Sequence, residues 1–187
     1  MAKLLVSDTN SAIKLAFLKD MFFQNGFLSI GRLALWKDVV LSEIKVHISN
    51  PDKKSIINEL NFLINCSYYY NFNFEEYEFY SYKTREFSDA EETVRNLGGY
   101  LGTSDNDQKL LFVALKNGCC GLVTNEYALA DLSRETINHP DMVQYENTMI
   151  LTAEDLVLCA LKENKLNFSE IQNLINRWTQ AGEHVMS

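Results

Sequence analysis

The chain of 187 residues has the length of one domain, and we expect a single domain over residues 1–187. Hydrophobic residues make up 47% of it and charged residues 22%, which is ordinary for a globular protein, and no apolar run is long enough to cross a bilayer. The formal net charge of −8 argues against a general nucleic-acid coat protein. An acid interrupts the first apolar run almost at once, which argues against a signal peptide, so we expect a cytoplasmic protein without membrane contact.

The cysteines and the charge distribution bear on possible metal sites and binding partners. The four cysteines form no C-x-x-C pair and the three histidines are scattered, so buried reduced thiols are expected rather than a zinc site. The cysteines are Cys66, Cys119, Cys120 and Cys159. Residues 1–54 hold eight basic and five acidic side chains, a balance of +3, whereas the remainder carries −11. A polyanion would therefore bind over the first third of the chain, unless these charges are ordinary solvated faces.

The first predicted element is a buried strand over residues 4–6, since no polar residue interrupts this apolar run. Polar residues 9–11 then open a helix that reaches about Gln24 before Asn25-Gly26. Asp8 stands between the strand and the helix. Two interpretations stay open for Asp8: a ligand-binding residue at the carboxyl end of a parallel strand, or a cap of the helix.

A second strand is predicted over residues 27–35, followed by a helix over residues 36–47 that carries Glu43 in its early turns. Pro51 begins another helix, which runs to about Asn65 and carries Glu59. Nine aromatic residues then fall within residues 67–82, with partial alternation that favours extended structure. We interpret residues 67–87 as an aromatic-rich insertion. It could form a hairpin on the domain, a surface for a protein partner, or a platform for unpaired bases.

The rest of the chain alternates helices and short strands. A helix opens at Ser88 and ends near Gly98-Gly99, and the next, capped by Ser104 or Asp105, ends before Asn117-Gly118. Further elements are strands over residues 120–123 and 149–151 and, within a C-terminal helical region at 152–187, helices over residues 153–162 and 169–180. This alternation predicts an α/β fold with a mainly parallel central sheet.

Four acids are expected to meet at one edge of this sheet. Asp8 and Glu126 follow buried strands, while Glu43 and Asp107 lie in early turns of helices that begin at the same edge. Carboxylates this close destabilise one another unless cations neutralise them, and their hard oxygens suit Mg²⁺ or Mn²⁺. Such metals activate water against a phosphodiester. The alternative is that acids at helix starts only complement the helix dipole.

These residues resemble the PIN domain, a family of metal-dependent nucleases that includes VapC-like toxins. The resemblance lies in four features: DTN after the first strand, V-x-x-E in VLSE, an acid seven residues before Ala114 in ALKNG, and LVTNE. It runs from about residue 3 to residue 130 and more weakly through the tail. It implies a three-layer α/β/α sandwich with a central parallel sheet.

The resemblance also implies a site and an activity. Asp8, Glu43, Asp107 and Glu126 would form a catalytic pocket for Mg²⁺ or Mn²⁺ and cleave single-stranded RNA. The supporting residues would be Thr9, Asn10 and Thr124. Glu126 stands where the family usually has Asp. Asp105 could replace Asp107 as a ligand, and Glu59 could replace Glu43; the spacing favours Asp107, and closeness to the second strand favours Glu43.

Several functional interpretations therefore remain. The leading one is an endoribonuclease, such as the toxin of a toxin–antitoxin pair with a cognate antitoxin or another protein as partner, and with homodimerisation as an option. The alternatives are a catalytically inactive PIN-fold interaction module, or a nuclease or phosphatase that uses the same pocket on DNA or another phosphate ester.

Overall fold

A computed structural model describes residues 4–18, 29–47, 51, 54, 57–58, 70–71, 89–116 and 121–183. The strands of this part of the chain are β1 (Leu4–Ser7), β2 (Arg32–Leu35), β3 (Tyr70–Asn71), β4 (Gly121–Val123) and β5 (Met149–Leu151). Its α-helices are α1 (Thr9–Leu15), α2 (Lys37–His47), α3 (Asp89–Leu101), α4 (Asp105–Lys116), α5 (Tyr127–Asn138), α6 (Ala153–Lys162) and α7 (Phe168–Gln180). Short 3₁₀ helices follow α1 at Ala16–Leu18 and α5 at Pro140–Tyr145.

The five strands form one sheet in the order β3-β2-β1-β4-β5, and every neighbouring pair is parallel. The central strand β1 pairs Val6 with Ala34 of β2 on one side and with Leu122 of β4 on the other. Parallel neighbours need crossover connections, which the helices between the strands provide. The predicted α/β fold with a parallel central sheet is therefore confirmed.

Helices cover both faces of the sheet because successive residues of a strand point in opposite directions. Leu5 faces a core made with α1, α2, α6 and α7, and its largest fully buried side chain is Trp178. Val6 faces a second core made with α3, α4 and α5, which contains Leu111 and Leu129. The two cores make this part of the chain a three-layer α/β/α sandwich.

Several predicted boundaries differ from the structure. The prediction that a helix ends near Gly98-Gly99 is wrong: α3 continues to Leu101 and ends at Gly102, whose φ of 70° favours glycine. The backbone N–H of Thr103 then donates to the Gly98 carbonyl over 3.0 Å. Gly98 packs closely instead: a Cβ there would lie 2.6 Å from the Gln108 side chain, which would have to shift.

The second strand begins later than predicted, and two helical elements were not predicted. The second strand begins at Arg32 and not at residue 27, since residues 29–30 form a turn. The first α-helix ends at Leu15 and is followed by a 3₁₀ helix through Leu18, and the rest of the helix predicted to about Gln24 lies outside the described residues. Sequence analysis did not predict α5 or the 3₁₀ helix after it.

Some predictions fall on residues outside those described. They include the aromatic segment apart from β3, most of the helix over residues 51–65, Glu59, and three of the four cysteines. Cys159 carries a free thiol and is partly rather than fully buried. Among the described helices, none combines the length and apolar character that crossing a membrane requires.

Candidate functional site

The candidate site lies where the strand order changes direction. The chain passes from β1 to β2 on one side of the sheet, whereas β4 lies on the other side of β1. Open α/β sheets bind their ligands in the crevice at the carboxyl ends of such strands. Asp8 leaves β1 there, and its backbone N–H donates to the Val123 carbonyl over 3.0 Å, so the two strand ends are joined where they meet.

Asp8 caps α1 and also lies at the carboxyl edge of the sheet. Its side chain is 3% exposed; one oxygen accepts the backbone N–H of Ser11 over 2.6 Å, and the other accepts the hydroxyl of Thr124. Burial raises the pKa of Asp8 from 3.8 to about 6, and the charge of Asp107 raises it further, against the opposing effect of the hydrogen bonds. The two interpretations of Asp8 from sequence are therefore compatible.

Glu126 follows β4 and faces the same group of acids. Its carboxylate accepts the amide N–H of Asn10 over 2.5 Å, and its backbone N–H donates to the hydroxyl of Thr124 over 3.0 Å. Burial is the largest cause that raises the pKa of Glu126 to about 7, followed by repulsion from Asp8, from Asp107 and from Glu43. All four predicted acids thus lie within electrostatic reach of one another.

Glu43 reaches this edge from α2. The hydroxyl of Thr9 donates to its carboxylate, which links the start of α1 to α2. The predicted supporting residues therefore each touch an acid: Thr9 contacts Glu43, Asn10 contacts Glu126, and Thr124 contacts Asp8.

Asp107 and Asp105 point to different surroundings. Asp107 forms a capping box with Ser104, in which its carboxylate accepts the Ser104 N–H over 3.1 Å and the Ser104 hydroxyl over 2.7 Å. Asp105 is 58% exposed and pairs with Lys109 over 2.7 Å, with Arg95 at 3.9 Å. Because Asp107 raises the pKa values of both Asp8 and Glu126, whereas Asp105 contributes to neither, the geometry favours Asp107 as the third acid.

Sequence analysis missed a buried polar network behind Thr124 and Glu126. Asn125 donates to Glu154 over 2.6 Å and accepts from the Ser11 hydroxyl over 2.9 Å and from the Ala153 N–H over 3.0 Å. Glu154 also pairs with Lys14 at 2.5 Å, and the Lys14 side chain is 4% exposed.

A signal for this network was present in the sequence. Lys14 interrupts the apolar run of α1, and a charged residue on a buried helix face requires a partner. The sequence does not say which acid provides it. Only the packing of α6 against α1 assigns that role to Glu154.

The chemistry of the donors fits a hard divalent cation. Four carboxylates share one edge, and their repulsion would be relieved by positive charge. Within the described ranges, no group of three or more His, Cys, Asp or Glu side chains is already arranged to hold a metal ion. Hydrogen bonds to Thr9, Asn10 and Ser104 hold Glu43, Glu126 and Asp107 in the observed arrangement.

No family model and no curated protein sequence matches the chain. Among solved structures, the chain is similar to one described as the crystal structure of PAE2754 from Pyrobaculum aerophilum, with a TM-score of 0.51 and 16% sequence identity. The match covers 86% of this chain and 99% of that one. At this identity the similarity shows a shared fold and nothing about activity.

Proposed function

We propose that this protein is a metal-dependent endoribonuclease of the PIN type that cleaves single-stranded RNA with an activated water. The observation that carries the proposal is the meeting of Asp8, Glu43, Asp107 and Glu126 at the switch point of the sheet, where three of them raise the pKa of Glu126. The resemblance to PIN-domain motifs supports the same assignment.

Each acid has a role in this proposal. Asp8 and Asp107 would be the principal ligands of Mg²⁺ or Mn²⁺, Glu43 would bind directly or through water, and Glu126 would complete the set. Such a cation, when bound, supplies a more acidic water and neutralises charge on the phosphodiester.

The neighbouring polar groups of the chain orient these carboxylates. The Ser11 N–H and the Thr124 hydroxyl each donate to one oxygen of Asp8 and so fix the orientation of its carboxylate. Asn10 orients Glu126, and Thr9 orients Glu43, which would in turn orient the attacking water. A site held this way needs little reorganisation before reaction.

The proposal extends to partners and location. RNA is the substrate, the protein acts in the cytoplasm, and a toxin role would add a cognate antitoxin as inhibitor. A gene for a small DNA-binding protein beside this one, whose product restores growth of cells expressing this protein, would support the toxin role.

The test is cleavage of a labelled single-stranded RNA by purified protein. We expect cleavage with Mg²⁺ or Mn²⁺ and none with EDTA. In Asp8→Asn the cleavage rate should fall by more than about a hundredfold, because the cation loses an anionic ligand. Asp131→Asn, which changes a 60% exposed acid in a surface pair with Arg134, is the matched control and should cleave normally. Cleavage that persists in Asp8→Asn would contradict the proposal.

A second candidate is an inactive PIN-fold interaction module. The observation that favours it is that, among described residues, no three side chains are arranged as metal ligands. This candidate predicts no metal-dependent cleavage and no effect of Asp8→Asn on ion binding. A single-stranded DNA of the same base sequence completes the assay, because preferential cleavage of DNA would assign the site to a DNA nuclease.

A further inference from the structure

Two tyrosine side chains are strongly exposed on the helices α3 and α5. Tyr100 is 88% exposed in the last turn of α3, and Tyr127 is 76% exposed at the first position of α5. Tyr127 directly follows Glu126, a proposed catalytic acid, in the chain.

The topology brings the two tyrosines to the same edge of the sheet. α5 starts just after β4, at the carboxyl edge where Glu126 lies. α3 ends in a tight turn at Gly102 that leads directly into α4, whose first turn carries Asp107.

The packing of the helices agrees with this placement. α3 packs against α5, and Glu92 and Leu97 of α3 line a surface groove together with His139 after α5. Because α3 ends and α5 begins at the carboxyl edge of the sheet, the two helices run in opposite directions, and Tyr100 and Tyr127 both lie towards that edge.

Several exposed residues close to the two tyrosines in the chain are polar, unlike the centre of a protein interface. Exposed neighbours in the chain are Asn96, Gly99, Asp105, Ala128 and Asp131. Protein interfaces place aromatic residues in a continuous apolar centre that is depleted of charge. Separate rings on a polar surface suit flat ligands that stack individually, and nucleobases are such ligands.

The charges at this edge also favour contact with bases over contact with phosphates. The acids repel phosphate groups, and nearby cations are engaged in ion pairs: Lys14 with Glu154, and Lys109 with Asp105. Stacking on an aromatic ring needs no positive charge, because every base has an apolar face.

We propose that Tyr100 and Tyr127 stack on unpaired bases of an RNA strand whose backbone passes the carboxylate edge. This inference rests on the proposed function and adds a reason for its substrate class. Bases in a duplex are stacked on one another and hide their faces, so these tyrosines would select single strands.

The experiment measures binding separately from cleavage. Full-length Asp8→Asn protein, in Mg²⁺, is titrated into a fluorescein-labelled single-stranded RNA of mixed sequence, and anisotropy gives the Kd. Tyr100→Ala and Tyr127→Ala are each added to this background, with Tyr127→Phe as the variant that keeps the ring. Phe168→Ala is the matched control: Phe168 is 78% exposed but begins α7, which follows the end of α6 at the opposite edge of the sheet.

We expect each tyrosine-to-alanine change to weaken binding by about tenfold, within the range that alanine substitution gives for base stacking. Tyr127→Phe and Phe168→Ala should bind as the Asp8→Asn background does. An oligonucleotide of the same length with abasic sites should bind weakly to all variants, and a duplex should bind weakly as well.

Some outcomes would overturn this inference while leaving the nuclease intact. Wild-type protein that cleaves RNA, together with tyrosine variants whose Kd is unchanged, would show that the rings do not contact bases. Equal binding of abasic and normal RNA would assign the affinity to phosphates. A change in sedimentation without a change in Kd would identify the tyrosines as a protein-contact surface. If wild-type protein shows no metal-dependent cleavage, the proposed function itself is refuted.

Discussion

Asp8 shows how one residue serves both the fold and the candidate site. Its carboxylate caps α1 through the Ser11 N–H and also faces Asp107 across the carboxyl edge of the sheet. A cap alone would be served equally well by Ser or Asn. A buried charge that neighbouring acids repel is costly, and such perturbed groups are typical of functional sites.

The stability of the metal-free protein should fall as the pH rises, because of Asp8. The pKa of Asp8 is 3.8 when unperturbed and about 6 in the folded protein, so between these values the folded state holds a proton that the unfolded state has released. The free energy of unfolding therefore decreases from about pH 4 to about pH 6, and Glu126 extends this window to about pH 7.

Asp8→Asn removes this dependence at one position. At pH 7 in EDTA we expect the variant to be as stable as wild type or more stable by up to about 3 kcal/mol, and the difference should shrink at pH 5. Urea denaturation followed by circular dichroism at several pH values measures it. A variant that is less stable than wild type by the same amount at every pH would show that only the cap matters.

Asp107 and Asp105 provide a matched pair within one helix turn. Asp107→Asn should reduce cleavage by more than about a hundredfold, and its loss from the capping box should cost only about 1 kcal/mol. Asp105→Asn should keep most activity, since Asp105 pairs with Lys109 on the surface. Inactive Asp105→Asn beside active Asp107→Asn would reverse the assignment of the third acid within the same class of enzyme.

At the scale of elements, the buried pair Lys14–Glu154 joins α1 to α6 behind the site. Asn125 shares Glu154 and connects this pair to the loop that carries Thr124 and Glu126. The Lys14 ammonium also lies 5.0 Å from the centre of the Trp178 ring, whose N–H donates to the Lys14 carbonyl over 2.9 Å. The loop after β4 is therefore held by α1 and α6, while α7 contacts Lys14 through Trp178.

Breaking this pair should destabilise the protein strongly. Glu154→Gln leaves the buried Lys14 charge without its anion, and we expect a loss of about 3 kcal/mol in the free energy of unfolding. Lys14→Met combined with Glu154→Leu removes both charges and should recover part of the loss. Arg134→Ala, in a pair where both side chains are 60% exposed, should change stability by less than about 1 kcal/mol.

Urea denaturation compares the four proteins. Glu154→Gln with wild-type stability would mean that the network contributes little to the fold. Should Glu154→Gln also lower cleavage at a temperature where it stays folded, the loss would trace to the position of Glu126 through Asn125.

At the scale of the whole molecule, a cation at the edge should stabilise the fold. A ligand that binds only the folded state adds about 2.7 kcal/mol at a concentration a hundredfold above its Kd. Mn²⁺ should therefore raise the Tm of wild-type protein, and raise it more at pH 8 than at pH 6, because protons compete for Asp8 and Glu126.

Asp8→Asn serves as the control for this measurement and should gain much less from Mn²⁺. Equal gains in Tm for both proteins would place the ion elsewhere. A gain that is independent of pH would argue against carboxylates with raised pKa values as its ligands.

Local patterns in the sequence were enough for many elements. The pattern Thr152-x-x-Asp155 predicts the start of α6, and Asn167-x-x-Glu170 predicts the start of α7. Both capping boxes form in the structure. The apolar run at Leu4–Ser7 predicts β1 because a strand covered on both faces must be hydrophobic throughout. The order of strands and helices then predicts the parallel α/β fold.

The tertiary structure decided what local patterns leave open. The sequence predicted that Asp8, Glu43, Asp107 and Glu126 would share an edge, but their hydrogen-bond partners follow from how α1, α2 and β4 pack. Asp105 and Asp107 are both candidate ligands in sequence, where spacing favours Asp107, and their hydrogen-bond and ion-pair partners differ in the structure.

Contacts between distant parts of the chain were the hardest to foresee. The pairing of Glu154 with Lys14 depends on a sequence separation that no periodicity encodes. Sequence by itself determined the layers and the candidate acids, because burial and capping are local requirements. Packing determined partners and directions, because these depend on which helix faces meet across the sheet.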